Sequence, residues 1–205
     1  LWHAIYQNHI GTLQEATTLP ISLRKILHDK FRLGNLTQIN ELASKDKHTT
    51  KVLFGLPDGH NIETVLMSYK RRRTVCISTQ AGCALGCVFC ATGQMGLDRH
   101  LTVGEIVEQV LWASRKLRVA GQKLTNIVFM GMGEPFHNYT NSIAALNRLE
   151  DSSGMGIGAR RVTVSTAGHA KAIKRFANER RRERLAVSLH AAEDKLRDKL
   201  MPINR

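Results

Sequence analysis

Three of the four cysteines of this chain lie within eight residues, in the segment QAGCALGCVFCATGQMG at residues 80–96. Three residues separate Cys83 from Cys87, and two separate Cys87 from Cys90. In the reducing cytosol, clustered cysteines bind metal or carry out redox chemistry more often than they form a disulfide framework. The spacing therefore indicates a compact loop that holds a metal centre.

The number of thiols distinguishes two kinds of metal centre. A structural zinc ion takes four protein ligands, so Cys76 or His100 would have to complete the set. A four-iron cluster normally takes four thiolates, and three would leave one iron free to bind a substrate or a cofactor. The three-cysteine loop favours the iron–sulfur cluster, and zinc stays open as the alternative.

The segments that must position this loop alternate between strand and helix. Apolar and β-branched runs predict strands at residues 75–79, 126–132, 161–167 and 185–191. The clearest helix spans residues 102–121, with a capping box at Thr102 and Glu105. Repeated strand–helix units imply a parallel sheet, open or barrel-like, whose carboxyl ends bind ligands. The polar segments QAGC, GMGEP, STAGH and SLHA fall at those ends, which predicts one shared site.

The N-terminal third follows other patterns. Residues 1–34 predict short helices, and residues 38–68 predict a β-hairpin around PDGH, which contains the Asp-Gly pair typical of such turns. We therefore expect a small accessory region at residues 1–68, ahead of the larger unit at residues 69–205.

The charge of the chain indicates a polyanionic partner. Lys and Arg total 30 against 17 acidic residues, and basic clusters stand at residues 70–73, 159–161 and 179–184. Nucleic acid is the first candidate, and a merely solvated basic surface is the alternative. Aromatic residues make up only 5%, so contacts with phosphates and with RNA shape fit better than base stacking. The apolar runs fall short of the roughly 20 residues of a membrane span.

Five motifs in a fixed order resemble the RlmN/Cfr family of radical S-adenosylmethionine (SAM) RNA adenine methyltransferases. They are CISTQAGCALGCVFCATGQMG, GMGEP, RVTVSTAG, AVSLHA and LMPINR, and the resemblance covers essentially the whole chain. It implies an α/β fold: a partial (β/α) barrel of radical SAM type, with four of about six strands present. The helices and hairpin of residues 1–68 would be the accessory region, and residues 69–205 the radical SAM core.

The resemblance also implies the site residues. Cys83, Cys87 and Cys90 would hold a [4Fe-4S] cluster whose open iron binds the amino and carboxylate groups of SAM. The residues that match the family's SAM contacts are Gly133, Glu134, Ser165, Ser188, Leu189 and His190. Without the resemblance, GMGEP would be an ordinary strand-to-helix turn, and His190 a structural residue at a strand end.

Two further residues match catalytic roles of the family. Cys76 matches the resolving thiol, which forms a transient disulfide, and Glu63 matches the proton acceptor. From composition alone, Cys76 reads as a buried strand cysteine and Glu63 as a solvent-facing acid. A base must reach its proton within hydrogen-bond range, so the role of Glu63 depends on tertiary structure.

The implied reaction is methylation of C2 of an adenosine in 23S rRNA and of the adenosine 3′ of the tRNA anticodon, through a methylated cysteine carrier. The implied partners are rRNA, tRNA and an electron donor such as flavodoxin or ferredoxin, and we expect a cytoplasmic monomer without membrane association. Methylation at C8 is the alternative within the family. A zinc-stabilised RNA-binding protein without catalysis, or a radical SAM enzyme with a small substrate, would be an alternative of another kind.

The methyl-carrying cysteine has no match, because all four cysteines already have other roles. In the family, the carrier lies toward the C-terminus, beyond the point where this chain stops. We therefore expect that the chain is a fragment that binds a cluster weakly and does not methylate RNA by itself. We also expect its fourth parallel strand to present an unpaired edge.

Overall fold

The structure is a computed structural model that describes residues 1–204. Arg205, the last residue of the LMPINR motif, lies outside the described residues. The strands are β1 (Thr37–Ala43), β2 (Thr49–Gly55), β3 (Asn61–Ser68), β4 (Arg73–Cys76), β5 (Gln80–Cys83), β6 (Gly96–His100), β7 (Asn126–Phe129), β8 (Val162–Thr166) and β9 (Arg184–Val187). The helices are α1 (Trp2–Tyr6), α2 (Ile21–Lys30), α3 (Ala91–Gln94), α4 (Val103–Val119), α5 (Tyr139–Glu150), α6 (Ala170–Asn178) and α7 (Asp194–Leu200).

The main sheet has seven strands in the order β1-β2-β3-β4-β7-β8-β9. Strands β4, β7, β8 and β9 are parallel to one another, and α4, α5 and α6 follow in the connections between them. This arrangement confirms the predicted four-stranded part of a (β/α) barrel. Among the described residues β9 pairs with β8 alone, so it forms the edge of the sheet.

The N-terminal hairpin joins the same sheet. Strands β2 and β3 pair antiparallel around the predicted Asp-Gly turn, and β3 pairs antiparallel with β4. The hydrogen-bonded sheet is therefore continuous across residues 68 and 69. The division into an accessory region and a core at this point stays a prediction.

Strand lengths and two additional elements differ from the sequence-based expectation. Strands β4 and β7 end at Cys76 and Phe129, three residues before the predicted ends, because the chain leaves the ladder there to build polar turns. Strand β1 was not predicted, since most of its side chains are exposed and lack an apolar alternation. The small β5–β6 hairpin was also not predicted, because QAGC and GLDRH contain no β-branched residue.

The core lies between one face of the sheet and helices α4, α5 and α6. The predicted capping box begins α4: Thr102 Oγ1 accepts from Glu105 N at 3.3 Å, and Thr102 N donates to Glu105 Oε2 at 2.8 Å. The buried face of α4 packs into a cluster with apolar side chains of the strands and of α5 and α6, among them Ile106, Val110, Ile127, Phe129, Leu146, Val164 and Phe176.

The opposite face of the sheet, here called the inner face, carries the partly buried side chains. In β3, Ile62, Thr64 and Leu66 are buried toward α4, so Glu63 and Val65 point to the inner face. Cys76 lies directly opposite Val65 and shares that face. The same alternation in β8 puts Ser165 on the inner face. Side chains predicted to act together therefore share one surface of the sheet.

The packing of the core predicts that substitutions of two phenylalanines differ greatly in their effect on the free energy of unfolding. Phe129 is 1% exposed and Phe31 is 61% exposed. Phe129→Ala should lower the free energy of unfolding by about 3–5 kcal/mol because it leaves a cavity in a close-packed core. Phe31→Ala, the matched control, should change it by less than about 1 kcal/mol. Urea unfolding followed by circular dichroism measures both, and equal effects would contradict this description of the core.

Candidate cofactor site

A cavity of about 250 Å³ lies at the carboxyl ends of β7, β8 and β9 and beside the cysteine loop. Most of the residues predicted from the sequence to bind a cluster or SAM line it: Cys83, Cys87, Cys90, Gly133, Glu134, Ser165, Ser188 and His190. The structure thus brings together residues that lie up to 107 positions apart in the chain. Parallel strands explain the convergence, because their carboxyl ends meet at one edge.

The three loop cysteines fit a metal cluster. Cys83 and Cys87 are buried, Cys90 is partly buried, and all three are free thiols that face the same cavity. Within residues 1–204, no three His, Cys, Asp or Glu side chains are grouped so that they could hold a metal ion by themselves. A multi-iron cluster places its thiolate ligands around a larger body than a single zinc ion does. Three thiols at one cavity match three irons of a cluster, and they are one ligand short of a structural zinc site.

The surroundings of the loop oppose deprotonation of its thiols. Burial raises the pKa of Cys83 and of Cys87, and neighbouring thiols raise both pKa values further. The thiols therefore need a bound cation to become thiolates at neutral pH. Metal ligation supplies that cation and holds the thiols deprotonated.

Backbone geometry shapes the cysteine loop. Gly82 has φ +72°, and a Cβ atom there would overlap the carbonyl oxygen of Gly96 in the paired strand β6. Only glycine satisfies both the left-handed backbone and this close approach. Beyond the strand, Cys87 O accepts from Cys90 N at 3.1 Å and from Gln94 Nε2 at 3.0 Å, which closes the loop.

The GMGEP turn after β7 forms a second wall of the cavity. Gly133 has φ +95°, and a Cβ atom there would lie 2.5 Å from Cβ of Gln80. Glu134 is only 3% exposed, and its carboxylate accepts from Phe136 N at 3.0 Å and from Ala167 N at 2.8 Å. A carboxylate oxygen has more than one acceptor position, so Glu134 can also receive an ammonium group from the cavity.

The ends of β8 and β9 form the third wall. Ser165 Oγ and Ser188 Oγ lie 3.3 Å apart, and the His190 ring packs on Phe89 of the cysteine loop with centroids 4.5 Å apart. His190 has φ +60°, a left-handed conformation that is uncommon for a side-chain-bearing residue. Leu189 is exposed and lies outside the lining of the cavity, and its carbonyl accepts from Arg197 Nε at 3.1 Å.

Glu63 and Cys76 lie outside the cavity lining but share the inner face of the sheet. The Glu63 carboxylate forms an ion pair with Lys51 Nζ at 2.8 Å, and both side chains are partly exposed. Burial raises the pKa of Cys76 to about 11, against a weaker opposite effect of a backbone hydrogen bond with Met130. The roles of these two residues stay predictions.

Buried polar residues that sequence analysis missed hold these parts in place. Ser78 Oγ donates to Glu63 O at 2.6 Å and accepts from Met132 N at 2.9 Å, which joins β3 to the turn after β7. Gln109 Oε1 accepts from Ser78 N at 2.8 Å, and its Nε2 donates to Ser78 O at 2.9 Å. Gln80 Oε1 accepts from Glu134 N at 2.6 Å. The sequence contained one sign of this network, since the polar Gln109 falls on the otherwise apolar face of α4.

The fold and the site define an α/β protein with a three-thiol metal centre and an acidic glycine-rich turn at the carboxyl ends of its parallel strands. The sequence pattern of the Radical SAM superfamily matches residues 77–205. The chain therefore belongs to the Radical SAM superfamily. Membership in this superfamily implies a [4Fe-4S] cluster and SAM as cofactors.

Individual relatives support the resemblance to the RlmN family. Dual-specificity RNA methyltransferase RlmN 1 of Myxococcus xanthus is 52% identical over 205 residues, which are 100% of this chain and 57% of that protein. A probable RlmN of Chloroflexus aurantiacus is 50% identical over 211 residues, or 100% of this chain and 56% of that protein. The chain thus spans a little more than half the length of these curated relatives.

A solved structure confirms the fold class. The crystal structure of a radical SAM methyltransferase from Sphaerobacter thermophilus superimposes with a TM-score of 0.96 at 50% sequence identity, and the match covers 100% of this chain and 60% of that one. None of the helices within residues 1–204 has the length and hydropathy that a membrane span requires.

Gln109→Leu should lower the free energy of unfolding by about 2–4 kcal/mol, because the backbone groups of Ser78 and the hydroxyl of Thr64 lose their buried partner. Gln14→Leu, at an exposed position whose side chain forms no hydrogen bond within residues 1–204, is the control and should have a much smaller effect. Urea titration gives both values. A Gln109 variant as stable as the control would show that this network does not hold the site.

The pKa of Cys76 predicts its reactivity and a pH window of stability. In the folded protein, alkylation of Cys76 should accelerate about tenfold per pH unit from pH 8 to 10, because only the thiolate reacts. It should level off near pH 11, and near pH 9.0 in the unfolded chain. The native state keeps this proton longer than the unfolded chain, so the contribution to stability is full below pH 9.0 and is lost as pH rises toward 11. Peptide mapping by mass spectrometry follows the reaction, and a plateau near pH 9 in the folded protein would refute the assignment.

Proposed function

We propose that this chain carries the cofactor-binding part of a radical SAM methyltransferase that methylates C2 of an adenosine in 23S rRNA and of the adenosine 3′ of the tRNA anticodon. One observation carries the proposal: three free thiols face the same cavity as the acidic turn and the paired serines at the carboxyl ends of the strands. The relatives named dual-specificity RNA methyltransferases support RNA as the substrate class.

The cavity residues would hold the two cofactors. Cys83, Cys87 and Cys90 would ligate three irons of the cluster, which leaves one iron for SAM. When bound, the cluster and SAM supply hydrogen abstraction by a carbon radical, the chemistry required to methylate an electron-poor aromatic C–H carbon. The buried Glu134 carboxylate would bind the ammonium group of SAM.

The remaining contacts would orient SAM from the ends of β8 and β9. Ser165 and Ser188 can donate or accept with their paired hydroxyls, and His190 is held in place by Phe89. The matching Leu189 would act through its backbone, because its side chain lies outside the cavity. Gly133 would let the turn approach the cofactor without a Cβ atom.

Glu63 and Cys76 would act on the inner face. Glu63 would accept the proton that leaves the adenine ring, which requires its carboxylate to exchange the contact with Lys51 for one with the substrate. Cys76 would attack the sulfur of the carrier cysteine while that sulfur is crosslinked to the adenine through a methylene group. The new disulfide forms as the bond between the carrier sulfur and the methylene carbon breaks, and the released carbon takes up a proton to become the methyl group. Its high pKa means that the thiol must first give its proton to a base.

The same proposal includes the partners. A small one-electron donor such as flavodoxin or ferredoxin would reduce the cluster, and the protein would act as a cytoplasmic monomer on rRNA and tRNA. The names of the relatives favour C2 over C8 as the modified atom, and three thiols at one cavity are one ligand short of the zinc-stabilised, non-catalytic alternative.

The test uses the full-length protein, prepared and reconstituted without oxygen. We expect iron and acid-labile sulfide near four of each per chain, and 2-methyladenosine in both rRNA and tRNA by mass spectrometry of nucleosides. Cys87→Ala should lose the cluster and all activity. Cys76→Ala and Glu63→Gln should keep the cluster and lose at least about 100-fold in turnover, because the first removes the attacking thiol and the second removes the proton acceptor.

Three outcomes would contradict the proposal. Tetrahedral zinc in place of iron would remove the radical chemistry. Formation of 8-methyladenosine would show that C8, rather than C2, is the modified atom. Unchanged turnover in both Cys76→Ala and Glu63→Gln would show that the inner face takes no part in resolution.

A further inference from the structure

The parallel strands begin at one edge of the sheet, opposite the edge that holds the cofactor cavity. Their register is nearly level there, since Thr74 lies beside Asn126, Ile127 beside Val162, and Thr163 beside Arg184. The segments that lead into β4, β7, β8 and β9 therefore come together at this edge. The three basic clusters of the sequence, at residues 70–73, 159–161 and 179–184, are among these segments.

The result is an exposed basic surface, here called the amino-end surface. It consists of the exposed lysines and arginines at positions 70, 71, 72, 123, 160, 161, 180, 182 and 184. Seven of these nine residues are arginines. Within residues 1–204 none of their side chains forms an ion pair with a carboxylate.

Nearby acidic residues are too few to neutralise this surface. Glu183 is buried and ion-paired with Arg181, and Glu179 pairs with Arg175 at 3.1 Å. Glu150 and Asp151, at the end of α5, carry at most two negative charges against the nine basic residues. The positive charges at this edge are therefore available to a ligand.

We propose that the amino-end surface binds phosphates of the RNA substrate at a position remote from the modified base. The inference rests on the proposed function, which supplies a large RNA as the substrate. The parallel strands have four or five residues, so this surface lies roughly 15 Å or more from the cavity at about 3.3 Å per residue. It would contact a second part of a folded RNA while the target base occupies the other edge.

The chemistry of the surface favours phosphates over bases or lipids. Guanidinium groups bind phosphate oxygens in a bidentate manner, and the surface consists mainly of arginines. Arg72 covers one face of Tyr69, an exposed aromatic ring at this edge, at 5.2 Å from the ring centroid, so a base would have to compete with that contact. A membrane-surface site would combine its basic residues with a broad apolar face, whereas the buried apolar residues next to these segments pack into the core.

The experiment compares two triple variants of the full-length protein. The edge variant is Arg160→Glu, Arg161→Glu and Arg182→Glu. The control variant is Lys25→Glu, Lys30→Glu and Lys174→Glu, which reverses the same number of exposed charges away from both edges of the parallel strands. Arg181 and Arg73 stay unchanged because the side chain of Arg181 pairs with Glu183 and the guanidinium of Arg73 donates to Gln122 Oε1 and Arg72 O. Filter binding is measured with a large domain of 23S rRNA and with a short hairpin that contains only the target adenosine.

The edge variant should bind the large RNA at least about tenfold more weakly, with a dependence of log K on log salt that is shallower by about 2, since each lost phosphate contact contributes about 0.7. Binding and methylation of the short hairpin should stay within about twofold of wild type, because its phosphates do not reach the amino-end surface. The control variant should match wild type on both RNAs. If the edge variant fails to fold, the milder Arg160→Gln, Arg161→Gln and Arg182→Gln protein should still show the shallower slope.

Equal losses in the edge and control variants would overturn the inference, because they would indicate a general charge effect. Wild-type affinity of the edge variant for the large RNA would overturn it as well. Loss of binding to phosphatidylglycerol vesicles without loss of RNA binding would assign the surface to a membrane instead. In each case wild-type methylation of RNA shows that the proposed function itself stands, whereas a wild-type protein without that activity would contradict the proposed function.

Discussion

The side-chain amide of Gln109 holds the N–H and the carbonyl of Ser78 at the point where the chain leaves β4. Ser78 in turn ties the backbone of Glu63 in β3 to Met132 in the turn after β7. Two residues further along, Gln80 holds the backbone of Glu134. The cysteine loop begins directly beyond this network. A buried polar network is costly when it is incomplete, so the position of the whole site is tied to the integrity of the fold.

The fold places the residues of the cofactor site and the exposed basic residues at opposite edges of the parallel strands. Thiols, hydroxyls and the Glu134 carboxylate gather at the carboxyl ends of the parallel strands, and the exposed arginines of the amino-end surface gather at the amino ends. A strongly positive surface beside the cavity would repel the positively charged sulfonium and ammonium groups of SAM. A basic surface at the opposite edge avoids that repulsion and can still attract a polyanion over a long range.

Local patterns predicted the local elements well. The capping box at Thr102 and the apolar period that follows it specify α4, and the Asp-Gly turn specifies the hairpin, because such signals act over a few residues. Strand ends were predicted less well. The apolar run at residues 126–132 continues past Phe129, but there the backbone exchanges sheet partners for contacts with Ile77 and Ser78. Strand β1 gave no signal because its pairing with β2, rather than burial, holds it.

By itself, the sequence determined the cysteine spacing, the order of the strand-end motifs and the superfamily, because these depend only on residue type and separation. Tertiary structure alone decided that Glu63 pairs with Lys51, that Cys76 is buried enough for a pKa near 11, and that three distant basic clusters share one edge. The physical reason is that these properties arise from strand register and from burial. Both depend on residues far apart in the chain, whose proximity no local pattern encodes.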